Sequence, residues 1–297
     1  MSHRDIRIGT MAGWAPNAVK LIKQLLPHGF ESFQLNAWRS VGDVNWAQFA
    51  DEALAVCGDK AIISTIGLFG NPLIDADCAK QWEAIIDNAH HFGTNVVVGF
   101  AGAVDGKPLE QSIPVFKKVW TPLAARAKDK GVKIAWENCD MGGRWEDVRW
   151  NIAHAPRAWE MMFNELAGYD NIGLEWEPCH QLNSLVDPIP QLRKIVESGR
   201  LFHIHGKDAT VAWDIIRTYG IRGGKPFVWH RTPGFGDTNW TDVISILRMF
   251  KWNGSIDIEG WHDPVYCGEL EYTGQVHALN YLKNCRGGPF VPNPVVG

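Results

Sequence analysis

Eight short apolar runs recur along the chain, and each is followed by a segment whose apolar spacing predicts an amphipathic helix. Runs of this length are typical of strands that are buried on both faces of a parallel sheet. They occupy residues 6–11, 30–36, 61–67, 95–102, 132–138, 172–178, 201–208 and 255–261. Eight strand-then-helix units predict a (β/α)8 TIM barrel that forms a single domain over residues 1–297.

An open, doubly wound sheet is the alternative that the same alternation allows. Such folds commonly carry a glycine-rich phosphate loop after an early strand, and the chain has neither a GxGxxG nor a Walker sequence. The length and the number of units therefore favour the closed barrel, with no linker and no second domain.

Helix signals lie between the apolar runs. Gly93 predicts the end of a helix over residues 75–93. In the segment 121–131, Thr121 predicts the N-cap of a further helix and Pro122 its first residue, because proline is favoured where a helix begins.

Two connections are too long for simple turns. They cover residues 139–170 and 209–239. Loops that follow barrel strands stand at the C-terminal mouth, where they commonly shape substrate binding. We therefore expect both connections to lie over the mouth of the barrel.

Composition excludes several classes of protein. The formal charge is −4 without a basic run, which argues against a nucleic-acid partner. No apolar stretch reaches the 18 residues of a membrane span, and the first 11 residues lack the apolar core of a secretion signal. The six cysteines contain no CxxC pair, so we expect reduced thiols and a cytoplasmic protein.

Four consecutive predicted strands carry an ionisable residue near their C-terminal tip, namely Glu137, Glu177, His205 and Glu259. Neighbouring strand ends of a barrel converge, so these side chains are expected to meet. Three carboxylates at short range need a counter-charge, which a divalent metal supplies. Carboxylate and imidazole ligands favour Mn²⁺, with Mg²⁺, Co²⁺ or Zn²⁺ as further candidates. A carboxylate–histidine network without a metal is the alternative.

The residues two positions before three of these ligands point the same way and lie deeper in the barrel. They are Glu175, His203 and Asp257, and we expect them to orient the ligands by hydrogen bonds without binding metal. A core histidine with ordinary hydrogen bonds is an equally good interpretation of His203. Lys207 and Asp208 follow the strand and are expected either to contact substrate or to pair with each other.

The four strand-end residues, the sequence EPCH at 177–180 and HGKD at 205–208 resemble the xylose-isomerase-like barrel superfamily of sugar isomerases and epimerases. The resemblance implies that Glu137 and Glu259 bind metal and move protons, that Glu177 and His205 are further ligands, and that His180 contacts substrate hydroxyls. Glu177 stands where the superfamily usually has Asp, so its carboxylate reaches one methylene further.

One branch that the chain resembles is the large subunit of C-glycoside deglycosidases, which cleave 3-oxo-glycosides by elimination together with a small partner subunit. That reaction needs a further acid or base near the aglycone. His154, in the long connection after Glu137, is our candidate, and a structural histidine before Pro156 is the alternative. The resemblance thus leaves a hetero-oligomer or a homo-oligomer open.

These observations predict an enzyme that removes a proton next to the carbonyl of a sugar or glycoside, for isomerisation, epimerisation or elimination. Lys207, Arg231 and Trp261 are candidate substrate contacts beside His180, and we expect an unphosphorylated sugar because no clear phosphate clamp is present. A ketose 3-epimerase or an aldose–ketose isomerase acting on a free sugar is the main alternative. A phosphodiesterase like endonuclease IV is disfavoured by the acidic balance, and a non-catalytic sugar-binding barrel does not explain three converging carboxylates.

Overall fold

The computed structural model describes residues 5–288 and 291–295, so the first four residues of the N-terminal stretch lie outside it. Eight parallel strands close into a barrel in the order β1, β2, β3, β4, β5, β6, β7, β10, and β8 pairs antiparallel with β9. The strands are β1 (Ile6–Met11), β2 (Ser32–Trp38), β3 (Ile62–Phe69), β4 (Val96–Gly99), β5 (Lys133–Glu137), β6 (Ile172–Trp176), β7 (Leu201–Gly206), β8 (Asp208–Val211), β9 (Val228–Arg231) and β10 (Gly254–Ile258).

Helices follow the barrel strands and cover the outside of the sheet. They are α1 (Asn17–Leu25), α2 (Trp46–Cys57), α3 (Ala76–Asn88), α4 (Leu109–Asp129), α5 (Pro156–Glu165), α6 (Pro178–Asn183), α7 (Pro188–Glu197), α8 (Trp213–Tyr219), α9 (Trp240–Met249) and α10 (Glu271–Cys285). The predicted (β/α)8 barrel is confirmed, and each of the eight apolar runs overlaps a barrel strand. Among the described residues, no helix combines the length and the apolar character needed to cross a bilayer.

The helix boundaries show which local signals decide. Asp75 caps α3 by accepting hydrogen bonds from two backbone N–H groups, and Gly93 ends the following 3₁₀ turn with a left-handed φ of 68°. The prediction that Thr121 caps a helix is wrong, because α4 begins at Leu109 and passes through Thr121 and Pro122. The Thr121 hydroxyl donates to the Lys117 carbonyl one turn earlier, as a mid-helix threonine does.

The core lies between the sheet and the helices and is rich in aromatic side chains. Trp82, Trp120 and Trp136 are fully buried there, with the Trp120 ring 4.8 Å from Trp82 and 5.0 Å from Trp136, both edge to face. The inside of the barrel differs, because several of its buried side chains are polar or charged. These three tryptophans therefore pack the core between sheet and helices, whereas polar and charged side chains lie inside the barrel.

The N-terminal end of the barrel is closed by an ion pair between Glu31 and Arg286. The guanidinium donates from two nitrogens to the two carboxylate oxygens, at 2.6 and 3.0 Å. Burial would raise the pKa of Glu31, but the hydrogen bonds from Arg286 and from the Ile8 N–H outweigh it and hold the pKa below its usual value. This pair joins the end of α10 to the β1–β2 edge.

The two long connections stand at the opposite, C-terminal end, as predicted. The first places Cys139, Asp140, Met141 and Gly142 on the wall of a cavity that also contains the strand-end Glu137. The second contains the β8–β9 pair, with α8 between its strands, and brings His230 to the same cavity. Both connections therefore shape the mouth of the barrel.

Candidate functional site

The four strand-end side chains predicted from the sequence meet at one point. Glu137 ends β5, Glu177 precedes α6, His205 lies in β7 and Glu259 follows β10. One oxygen or nitrogen of each lies within 4.8 Å of those of the other three, and all four residues are buried. We call these four residues the quartet.

His205 presents one ring nitrogen to the quartet and the other to the barrel interior. Its Nδ1 lies 3.0 Å from Glu137 Oε1, 3.2 Å from Glu259 Oε2 and 3.6 Å from Glu177 Oε2. Its Nε2 lies 3.0 Å from Glu175 Oε1 and 3.1 Å from Gln34 Oε1, and both of these atoms are acceptors. Nε2 therefore carries a hydrogen, which leaves Nδ1 as the ligand atom when the ring is neutral.

Below the quartet, the predicted deeper residues form a buried network. His203 Nδ1 lies 2.9 Å from Glu175 Oε1, and the two carboxylate oxygens of Asp257 accept hydrogen bonds from the hydroxyls of Ser32 and Ser64. Contact among these residues and with His205 is thus confirmed, while their absence from a metal's coordination stays a prediction. A Cβ on Gly9 would overlap Asp257 Oδ1, so this position of β1 requires glycine.

Lys207 supplies a buried positive charge to the quartet. Its Nζ lies 2.9 Å from Glu259 Oε1 and 3.2 Å from Glu177 Oε1. The alternative that Lys207 pairs with Asp208 is wrong, because Asp208 points away and accepts from the Thr238 N–H and from Trp240 Nε1. Successive side chains of an extended segment point to opposite sides, which separates the two residues.

Crowding of charges shifts the pKa of each quartet member. Burial and the neighbouring Glu177 raise the pKa of Glu137 to about 8. Burial would also raise the pKa of Glu259, but the Lys207 ammonium outweighs it and lowers the pKa below the usual value. For His205 burial opposes protonation, and the surrounding carboxylates, Glu175 first, overcome it and raise the pKa.

The donor set fits a divalent cation. Glu177 Oε2 and Glu259 Oε2 are buried, and neither accepts a well-directed hydrogen bond from any residue that the structure describes. Buried carboxylate oxygens normally have such a partner. Three carboxylates and one imidazole nitrogen are the ligands that Mn²⁺, Mg²⁺ and Zn²⁺ accept. The two unpartnered oxygens therefore face the position that a cation would take.

A cavity of about 490 Å³ opens above the quartet. Glu137 and Glu259 lie on its wall, whereas the fully buried Glu177 and His205 lie behind them. Two of the four ligand candidates can thus reach a bound molecule directly. The apolar wall of the cavity consists mainly of Trp38, Phe69, Phe100 and Met141.

The structure brings three of the predicted substrate contacts to this cavity, namely His180, Lys207 and Trp261. It does not bring Arg231, whose Nε donates to Asp263 Oδ2 at 3.1 Å. His154 is also absent from the cavity wall, and burial lowers its pKa. His154 belongs to the same connection as the wall residues Cys139 and Met141, but it does not line the cavity.

Several cavity residues escaped the sequence-based prediction. Trp38 stacks on Trp150 with ring centroids 5.8 Å apart and stays 57% exposed at the mouth. His230 and His262 complete the polar side. Burial lowers the pKa of His230 to about 4, so its ring is neutral. The position of Trp38 at the end of β2 was the available signal, since strand ends line the mouth.

Comparisons with known proteins agree with this architecture. The family model described as "Xylose isomerase-like TIM barrel" matches residues 22–285, and no curated protein sequence matches the chain. A 3-keto-D-glucoside 4-epimerase from E. coli is 15% identical with a TM-score of 0.68, over 94% of this chain and 100% of that one.

Two further solved structures have similar scores. A xylose isomerase-like TIM barrel protein from Mycobacterium smegmatis, in complex with magnesium, is 14% identical with a TM-score of 0.71, over 96% of this chain and 98% of that one. A mannonate dehydratase from Streptococcus suis is 13% identical with a TM-score of 0.70, over 98% and 99%. At such identities the likeness shows a shared fold.

Proposed function

The chain belongs to the xylose isomerase-like TIM barrel family, and from this premise we propose that it is a sugar isomerase or epimerase that moves a proton at a carbon next to a carbonyl. One observation carries the proposal. Of the four strand-end ligand candidates, the carboxylates of Glu137 and Glu259 line the cavity, while Glu177 and His205 lie behind them. Two carboxylates that face bound substrate can take a proton from it and return one.

The quartet would hold one divalent cation, which we propose to be Mn²⁺. The ligand atoms would be the His205 Nδ1 and one oxygen from each of Glu137, Glu177 and Glu259. When bound, the cation would polarise the substrate carbonyl and so acidify the adjacent C–H group. The M. smegmatis protein of the same fold is in complex with magnesium, which supports a divalent cation as part of this proposal.

Residues of the cavity would orient the sugar and keep water out. His180 lies beside the quartet, with its Nε2 3.1 Å from Glu177 Oε2. Lys207 and Trp261 also line the cavity and contribute a hydrogen-bond donor and an aromatic face. A sugar presents hydroxyls on its edge and C–H groups on its faces, which suits one polar and one aromatic wall. Glu137 would then hold the proton at one side of the reacting carbon and Glu259 at the other.

Solvent exchange tests this function. The purified protein, loaded with Mn²⁺, is incubated in deuterated water with free ketoses and with 3-oxo-glycosides. We expect deuterium in the recovered sugar at the carbon next to the carbonyl, and its stereoisomer or regioisomer as product. Metal-loaded protein that exchanges no proton with either substrate class contradicts the proposal.

Elimination from a 3-oxo-C-glycoside is the second candidate, because the apolar wall has room for an aglycone. Trp38 and Phe100 lie there with ring centroids 6.2 Å apart, and Trp261 is 44% exposed at the mouth. Release of the aglycone instead of deuterated sugar would support this candidate. The elimination reaction, as in the C-glycoside deglycosidases, would involve a small partner subunit. Light scattering of the co-expressed pair tests for this hetero-oligomer, and a homo-oligomer is the alternative.

A cytoplasmic location is part of both proposals, and the six free cysteines support it.

A further inference from the structure

Lys207 is buried, which is rare for a lysine. Only 4% of the residue is exposed, and its Nζ reaches two members of the quartet, at 2.9 Å from Glu259 and 3.2 Å from Glu177. A lysine is almost never buried unless its charge is paired, so these two contacts define its place. Its ammonium also lies on the cavity wall, directly beside the predicted reaction centre.

Glu177 and Glu259 each use one carboxylate oxygen to contact Lys207 and the other to face His205. In each of them Oε1 contacts the Lys207 ammonium. In each of them Oε2 faces His205 Nδ1 instead, at 3.6 Å for Glu177 and 3.2 Å for Glu259. Both Oε2 atoms are buried, and neither accepts a well-directed hydrogen bond from a described residue. Fixing one oxygen of a carboxylate leaves the other as a single ligand atom.

We propose that Lys207 is a positioning residue of the metal site: it fixes Oε1 of Glu177 and of Glu259, so that each carboxylate offers a single oxygen to the cation. The inference rests on the metal site of the proposed function. A bidentate carboxylate would need Oε1 as well, which the ammonium occupies. The coordination sphere therefore keeps room for the oxygens of a substrate.

Charge supports the same role. The three carboxylates of the quartet carry three negative charges when ionised, and a divalent cation supplies two positive charges. Lys207 supplies the third, so that the quartet, its cation and Lys207 together are neutral. Because an unbalanced buried charge is costly, a neutral centre favours an uncharged sugar over a phosphorylated one.

The test compares Lys207→Met, which removes the charge, with Lys207→Arg, which keeps it. Lys133→Met is the matched control, since Lys133 lies at the other end of β5 with its Nζ 4.9 Å above the Phe202 ring. Two readouts need no substrate. They are the melting temperature of the metal-free protein and the visible absorption of the Co²⁺-loaded protein, which falls as the number of ligand atoms rises.

For Lys207→Met we expect one bound Co²⁺ with weaker visible absorption, because the freed Oε1 atoms join the coordination sphere. We also expect the metal-free variant to melt about 4 °C or more below the wild type, since the buried carboxylates of Glu177 and Glu259 then lose the ammonium that contacts them. Lys207→Arg should restore most of the melting temperature, and Lys133→Met should leave the Co²⁺ spectrum unchanged.

A Lys207→Met protein with the wild-type spectrum and the wild-type metal-free melting temperature overturns the inference. So does a Lys207→Arg protein that melts as low as Lys207→Met, because the charge would then be irrelevant. If Lys207→Met does not fold, the Lys207→Arg variant decides alone. The wild-type Co²⁺ spectrum with most of the wild-type melting temperature then supports the inference, and the loss of both overturns it. Failure of the proposed reaction is seen separately, as wild-type protein that binds the metal but exchanges no substrate proton.

Discussion

His203 Nε2 lies 2.8 Å from Asp257 Oδ2, and both residues are buried inside the barrel. Since Glu175 faces the other ring nitrogen, the imidazole bridges two carboxylates from neighbouring strands. Burial opposes protonation of His203, but these two partners outweigh it and raise its pKa. Glu175 in turn contacts His205 Nε2, and the bridge thereby fixes the orientation of a quartet member.

Replacing His203 should weaken metal binding although the residue is not a ligand. In His203→Ala, Glu175 and Asp257 lose their shared partner, and the His205 ring loses its support. We expect the affinity for Mn²⁺ to fall roughly 10–100-fold, as for other groups that orient metal ligands. Calorimetric titration measures it, with His28→Ala on the surface as the control. An unchanged affinity would show that His203 is an ordinary core histidine.

Glu137→Gln and Glu259→Gln should each slow the proton transfer. An amide keeps an oxygen for the metal but cannot take up a proton, so we expect deuterium incorporation to fall roughly 10²–10⁴-fold. Metal content is measured on the same samples, to separate lost chemistry from lost metal. Chelation should abolish activity in the wild type, and Mn²⁺ should restore it. Glu160→Gln, at an exposed position of α5, should keep wild-type exchange.

His230→Ala should affect catalysis more than His154→Ala. His230 lines the cavity, whereas His154 does not. We expect kcat/KM to fall about tenfold or more for His230→Ala, since a lost contact of 1.4 kcal/mol has that effect, and to change little for His154→Ala. Steady-state kinetics on both substrate classes measures this. A selective loss of aglycone release in His154→Ala would instead return that residue to the elimination mechanism.

Trp38→Ala should raise KM and leave kcat nearly unchanged. The ring is 57% exposed at the mouth, so its removal costs little core packing, but a sugar or aglycone loses an aromatic face. A face of this kind is worth about 0.5–1.5 kcal/mol, which corresponds to a KM change of a few-fold to tenfold. Trp213→Ala on α8 is the control, with 51% exposure and no place on the cavity wall.

Lowering the pH should reduce the free energy of unfolding, partly because Glu31 becomes protonated and loses its ion pair with Arg286. Its folded pKa lies below the usual value of about 4.3, so the Arg286 pair contributes its full stability above that pH. The contribution is lost as the pH falls further, through the folded pKa. Urea unfolding between pH 3 and 7 should show this loss in the wild type. Glu31→Gln should be less stable at pH 7, by about 3–5 kcal/mol for a broken buried pair, and should depend less on pH.

The barrel and its quartet could be predicted because both follow from local rules. An apolar run with period two fixes which side chains enter the barrel, and strand ends of a closed sheet converge. Glu137, His205 and Glu259 meet for this reason. The helix that contains Thr121 was misplaced because burial of Trp120 and Leu123 against the sheet overrides a local N-cap signal.

Relationships that depend on side-chain direction in loops could not be predicted. Lys207 and Asp208 are adjacent in the chain, yet one enters the quartet and the other supports the turn before α9. The partnership of Trp38 with Trp150 joins segments 112 positions apart, which no local pattern records. Arg231 is likewise engaged by Asp263, a residue from a different connection.

The cavity joins two kinds of segment that can change independently. The proton-moving carboxylates belong to the closed sheet, where each strand is held by two neighbours. His230 belongs to the β8–β9 insertion, which pairs only within itself among the described strands. Insertions, deletions or an exchange of residues 208–231 can therefore alter which molecule is accepted while the reaction is preserved. New specificities should arise first in this insertion, in evolution as in a directed library.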